Sequence, residues 1–150
     1  MKRVPLDAAI SLLDRSERTL WRMVSNGLVA KEIQNGSAML LLDSLLPHFC
    51  IPFPADDLAV LVAAIEGDPA SQTDVAVLFL RQGKASNAIY WLELAVHRNF
   101  PDAMSLLGRC YLEGNGVNRD KQTGIAWISK AATLGHLISR AQLKELSQFM

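Results

Sequence analysis

This chain of 150 residues has no surplus of either charge: fifteen Lys and Arg stand against fifteen Asp and Glu. A protein that coats nucleic acid through counterion release needs an excess of cations, so that mode is excluded for the chain as a whole. Cysteine is scarce. Cys50 and Cys110 lie far apart in no metal-ligand spacing, which excludes a disulfide framework and predicts reduced thiols. His48, His97 and His136 each lack a cysteine or carboxylate at ligand spacing, so neither a metal nor another cofactor is expected. The longest apolar stretches, 38–42 and 58–65, are too short to cross a bilayer. Met1-Lys2-Arg3 is followed by Val4-Pro5-Leu6-Asp7 and not by an apolar run, so no secretion leader, a cytoplasmic location and no membrane partner are expected. No nucleophile elbow, zinc-protease or redox-cysteine pattern occurs, and no catalytic residue is expected. The adjacent Asp56 and Asp57 complement a helix start. The Gly114-Asn115-Gly116 loop follows a helix and lacks a Lys-Ser/Thr pair, so it is no phosphate cradle.

What is present is hydrophobic residues, half of the chain, enough for a core in one domain or two small ones. Three prolines within 47–54 mark a break, because proline removes backbone donors and turns the preceding residue away from helix. The expected organisation is a head over 1–48, a linker over 49–55 and a body over 56–150. In the head, Leu6, Ala9, Ile10 and Leu13 mark one helical face. Ser16 is an N-cap for a second helix over 17–26 that buries Leu20, Met23 and Val24, and Asn26-Gly27 stops it. Strands over 29–33 and 38–42 flank Gln34-Asn35-Gly36-Ser37, where Asn-Gly signals a hairpin turn. Asp43 then caps a short helix holding Leu45 and Leu46. The body reads as helices over 56–66, 70–81 and 85–98, one opened by Pro101, and a closing helix over 138–149.

Within 103–135, the order of Ala103, Leu107, Gly108, Tyr111, Gly114, Gly116, Val117, Asp120, Trp127, Lys130, Ala131, Ala132 and Gly135 resembles the Sel1-like repeat, a relative of the tetratricopeptide family. Segment 74–103, with Ala76, Phe79, Ala88 and Tyr90, resembles a shorter tetratricopeptide unit. Aligning Trp91 with Trp127 sets a period of thirty-six residues. The resemblance implies an α-solenoid of helical hairpins, with helix 56–66 and the closing helix as caps. It also implies docking of a protein partner on the concave face of the first helices, where Asp74, Arg81, Arg109 and Glu113 are the candidate contacts. Tyr90, Trp91, Tyr111 and Trp127 are expected in the core, Gly108 lets helices approach closely, and Asp120 caps a helix.

The head, over 4–46, resembles the winged helix-turn-helix domains of excisionases and MerR-like regulators. Leu6-Asp7-Ala8-Ala9, Leu12-Leu13, Ser16-x-x-Thr19-Leu20 and Asn26-Gly27-Leu28-Val29-Ala30 carry that likeness. It implies a second helix entering the major groove and a wing along the phosphates. Arg15, Ser16, Glu17, Arg18, Trp21, Arg22, Ser25 and Lys31 would then face duplex DNA. Asp14 stands where the family turns on glycine, and the wing carries only Lys31 as a cation. The expected fold class is therefore mainly α, a winged helix-turn-helix with a two-stranded hairpin followed by an α-solenoid. The implied function is a bacterial-type, sequence-specific transcriptional regulator on paired half-sites, with the repeat body binding a protein or a second copy. The alternative is an adaptor that keeps the head's shape but turns Trp21 and its surroundings to protein.

Overall fold

Asp14 ends the first helix, α1 (Leu6–Leu13), in the left-handed region, at φ 53° and ψ 46°. A short polar side chain tolerates these angles better than most L-residues do, so Asp serves where glycine would be expected. The buried stripe of α1 is Ala8, Ala9, Leu12 and Leu13, while Leu6 and Ile10 are half-exposed, a rotation from the face that the sequence spacing predicts. Helix α2 (Glu17–Ser25) starts at Ser16, whose Oγ accepts from the Thr19 N–H at 3.2 Å. Leu20 is fully buried, Met23 and Val24 half so, and Gly27 follows at φ 76°.

Strands β2 (Lys31–Gln34) and β3 (Ser37–Leu41) form the hairpin. Asn35 and Gly36 both take positive φ, 50° and 80°, which matches a turn to the right-handed twist of the strands. The sheet has three strands and not two. β1 (Arg3–Pro5) pairs antiparallel with β3, Arg3 opposite Leu41 and Pro5 opposite Met39, giving the order β1-β3-β2. Three residues ending in an edge proline are too short to show alternation in sequence. Val4 and Leu40 are fully buried on one face. On the other, Met39 shares a cleft with Val62 and Ile65 of α4 (Leu58–Ile65). Helix α3 (Leu42–Leu45) begins one residue before Asp43, which thus lies in its first turn and does not cap it. Ser44 Oγ ties this corner together, donating to the Leu41 carbonyl at 2.7 Å and accepting from the Ala30 N–H at 2.9 Å.

The proline-rich segment is packed and does not swing as a tether. The Cys50 N–H donates to the Leu12 carbonyl at 2.9 Å, Ile51 is buried, and the rings of Phe49 and Phe53 meet edge-on at 5.4 Å. The structure, a computed structural model, describes residues 2–148, and its first compact unit runs through α4 to Glu66, with the second starting at Gly67. The division thus falls later than the prolines, because proline forbids regular hydrogen bonding without forbidding apolar packing. Helix α4 belongs by its contacts to the first unit and not to the repeats.

The second unit is helical: α5 (Pro69–Arg81), α6 (Ala85–His97), α7 (Pro101–Glu113), α8 (Lys121–Thr133) and α9 (Leu137–Ser147). The closing helix read from the sequence extends to Phe149, which lies outside the described residues. Asp68 caps α5 through the Ser71 N–H and Asp120 caps α8 through the Thr123 N–H. Phe79, Trp91, Leu92, Met104, Leu107 and Ile128 are fully buried or nearly so. Trp91 is core, as expected, whereas Tyr90, Tyr111 and Trp127 are half-exposed. Lys130 Nζ lies 5.7 Å over the Trp127 ring, which suits a ring at the surface.

Candidate functional site

Helices α7 and α9 both pack on α8, and Ser105 of α7 donates to Gln142 of α9 at 3.2 Å. They leave a groove of about 290 Å³ lined by Arg109, Leu112, Glu113, Ile128, Gln142, Glu145 and Leu146. Its floor is apolar and its rim carries both signs of charge. Arg109 and Glu113, two of the four residues expected to meet a partner, stand together here and are exposed. Asp74 and Arg81 are also exposed, but on α5, outside this groove. Sequence reading missed the α9 wall, Gln142, Glu145 and Leu146, because it assigned that helix a capping role alone. The spacing of 142, 145 and 146 on one helical face was the available signal.

The loop 114–120 builds the wall of a second cavity, of about 610 Å³, lined by Tyr111 and residues 117–122. Gly114 ends α7 at φ 67°, the Asn115 N–H donates to the Cys110 carbonyl at 2.9 Å, and the Asp120 N–H donates to the Tyr111 carbonyl at 2.9 Å. A side chain at Gly116 would lie 2.7 Å from the Ala85 backbone, so this loop is pressed against the start of α6. The Asp120 carboxylate accepts from the Thr123 hydroxyl and N–H, which hold it below the usual carboxylate range. That carboxylate occupies the position an anion would take at the start of α8, so the cavity is not built for phosphate.

A third cluster has the composition of a hydrolase triad. His136 Nε2 lies 2.8 Å from Asp102 Oδ1, and His136 Nδ1 lies 2.8 Å from Ser139 Oγ. The sequence gives no sign of it, since Asp102 and His136 are thirty-four positions apart. Nδ1 also accepts from the Ser139 N–H at 3.2 Å, which makes His136 the N-cap of α9 and places the ring proton on Nε2, toward Asp102. Ser139 is fully buried, so its hydroxyl meets no substrate. The cluster pins α9 to α7; it is a structural clamp. Among the described residues no group of three or more His, Cys, Asp or Glu is placed to hold a metal ion.

In the first unit, α2 presents Arg18 and Arg22 one turn apart and exposed, with Arg15 exposed just before the helix. The other expected DNA-facing side chains are engaged within the protein. Ser16 Oγ caps α2, Glu17 accepts from Trp21 Nε1 at 3.3 Å, and Ser25 Oγ donates to the Trp21 carbonyl at 3.1 Å. Lys31 Nζ sits 5.9 Å over the Trp21 ring, which is half-buried. On the far face of the sheet, Arg3 donates to Glu32 at 2.8 Å, which raises the Arg3 pKa and holds the Glu32 carboxylate below its ordinary range.

The model of the Sel1 repeat family matches residues 70–100 and 101–136. Residues 70–136 are thus similar to two successive Sel1 repeats. The first, which the sequence likens to a short tetratricopeptide unit, matches the same model as the second. Two solved structures share the arrangement. A Sel1 repeat protein from Oxalobacter formigenes is 32% identical, with 59% of this chain and 27% of that one covered and a TM-score of 0.54. A protective antigen of uropathogenic Escherichia coli displaying an SLR fold is 30% identical, with 58% of this chain and 20% of that one covered and a TM-score of 0.53. The chain thus spans about a quarter and a fifth of the lengths of these two proteins.

Proposed function

We propose that this protein is a non-catalytic adaptor that docks a protein partner on its Sel1 hairpins, in the groove between α7 and α9. The observation that carries this reading is the pairing of the Sel1 match over 70–136 with an exposed, apolar-floored groove rimmed by Arg109, Glu113 and Glu145. Repeats of this kind stack helices into extended surfaces suited to protein contact. The test places a photo-crosslinking amino acid at Glu113 and, separately, at Gln82, which is exposed elsewhere on the same unit. A defined protein adduct from position 113 and none from position 82 supports docking in the groove. Equal labelling from both positions, or none, overturns it.

A second reading keeps the head as a sequence-specific DNA-binding regulator, with the body joining half-site-bound copies or recruiting a protein. It is favoured by the Arg15, Arg18 and Arg22 face beside a hairpin, in the element order of a winged helix-turn-helix. Charge weighs against it: residues 1–66 hold six basic side chains against eight acidic ones, and phosphate binding draws its strength from neutralising cations. Selection from a randomised duplex library at two salt concentrations decides between the readings. An enriched motif that vanishes in Arg18→Ala plus Arg22→Ala supports the regulator, and no enrichment at low salt excludes it.

A further inference from the structure

We infer that the face formed by α2 and β2 is a second docking surface, one that takes an acidic protein segment bearing a large apolar side chain; this rests on the adaptor reading. The face has three adjoining parts. Arg18 and Arg22 are exposed one turn apart on α2, and no ion pair among the described residues engages either guanidinium. Beside them lies Trp21, fixed from two sides by Glu17 at its indole nitrogen and Lys31 over its ring. Next along β2, on the same face as Lys31, comes Ile33, 62% exposed.

Each part asks for a complementary group. Two forked guanidiniums one turn apart suit a pair of carboxylates, which they bind in bidentate fashion. A tryptophan already held in one orientation loses little entropy on contact and offers an apolar platform. Ile33 extends that platform with apolar area for which water is a poor partner. Tryptophan and arginine together are the composition of binding hot spots. The same features fit duplex DNA less well. An isoleucine stands where a wing would lie along phosphates, and the tip Gln34-Asn35-Gly36-Ser37 has no cation.

The experiment pans random twelve-residue peptides displayed on phage against the full chain, then measures the best synthetic peptide by fluorescence anisotropy. Two acidic residues around an aromatic or large aliphatic one are expected. Affinity is expected to fall at least tenfold in Arg18→Gln plus Arg22→Gln and again in Trp21→Ala, with Ile33→Ser giving a smaller loss. Glu113→Lys, in the repeat groove, leaves this peptide's affinity unchanged, so failure here and failure of the groove reading are separable. The arginine pair is exposed, so it tests the surface even where Trp21→Ala impairs folding. Enrichment without acidic residues, insensitivity to the arginine pair, or displacement of the peptide by an equimolar random duplex at physiological salt would each overturn the inference.

Discussion

Gly108 and Gly124 meet where α7 crosses α8. A Cβ built on Gly108 would lie 2.8 Å from the Gly124 carbonyl oxygen and 2.7 Å from Ile128 Cγ1, and one built on Gly124 would lie 2.8 Å from the Gly108 oxygen. In the first Sel1 hairpin the small residues Ala76 and Ala88 are both fully buried, on α5 and α6. Replacing helical glycine by alanine usually stabilises a protein by about 0.5–1 kcal/mol. Here the sign reverses: Gly108→Ala or Gly124→Ala is expected to destabilise by about 1–3 kcal/mol, because backbone has no room to move aside. Denaturant titration measures it, and an unchanged or raised midpoint would refute the close crossing.

The caps predict a pH dependence. Asp68 and Asp120 are both held below the ordinary carboxylate range, first by the hydroxyls of Ser71 and Thr123 and then by the N–H groups of the same residues. Their contribution is therefore complete above the unfolded carboxylate pKa and is lost as pH falls through the lower folded values. Asn also caps well but does not titrate, so Asp68→Asn plus Asp120→Asn should flatten the acid limb of a plot of Tm against pH while leaving the neutral Tm close to wild type.

His136 predicts a contrast between fold and chemistry. His136→Ala should lower stability by about 1 kcal/mol, the usual cost of a lost cap, and His136→Asn should recover part of it. A fluorophosphonate probe should leave Ser139 unlabelled, since the side chain has no exposed surface. Labelling of Ser139 that depends on His136 would instead make the cluster an active site.

The two thiols should differ in rate. Cys110 is buried, and burial, with Glu113 second, pushes its pKa up, while Cys50 is half-exposed. The thiolate is the reactive form, so Ellman's reagent should modify Cys50 first, with Cys110 following only as the second unit opens. Equal rates in the native protein would contradict the placement of Cys110.

How legible the chain was depended on sequence distance. Asn35-Gly36, Ser16, Asp120 and Pro101 announce their turns, caps and helix starts locally, and the structure has them there. Strand β1 was not visible because its partner lies about thirty-six positions away and Arg3-Val4-Pro5 shows no period of its own. The Asp102–His136 contact was hidden for the same reason. Gly124 was overlooked inside a helix where glycine is costly, although its counterpart Ala88, one repeat earlier, is also small. The prolines over 47–54 mark where regular hydrogen bonding stops, and the burial of Ile51 shows that packing continues past them.

The loop at Gly116 looks, by its exposure and its Gly-Asn-Gly sequence, like a free site for inserting a tag or reporter. Its contact with Ala85 makes it the opposite: an insertion there would pry the second hairpin off the first and be felt thirty-one residues upstream. The turn at Gly83, with open space around it, is where an engineer could splice a foreign segment and keep both hairpins intact.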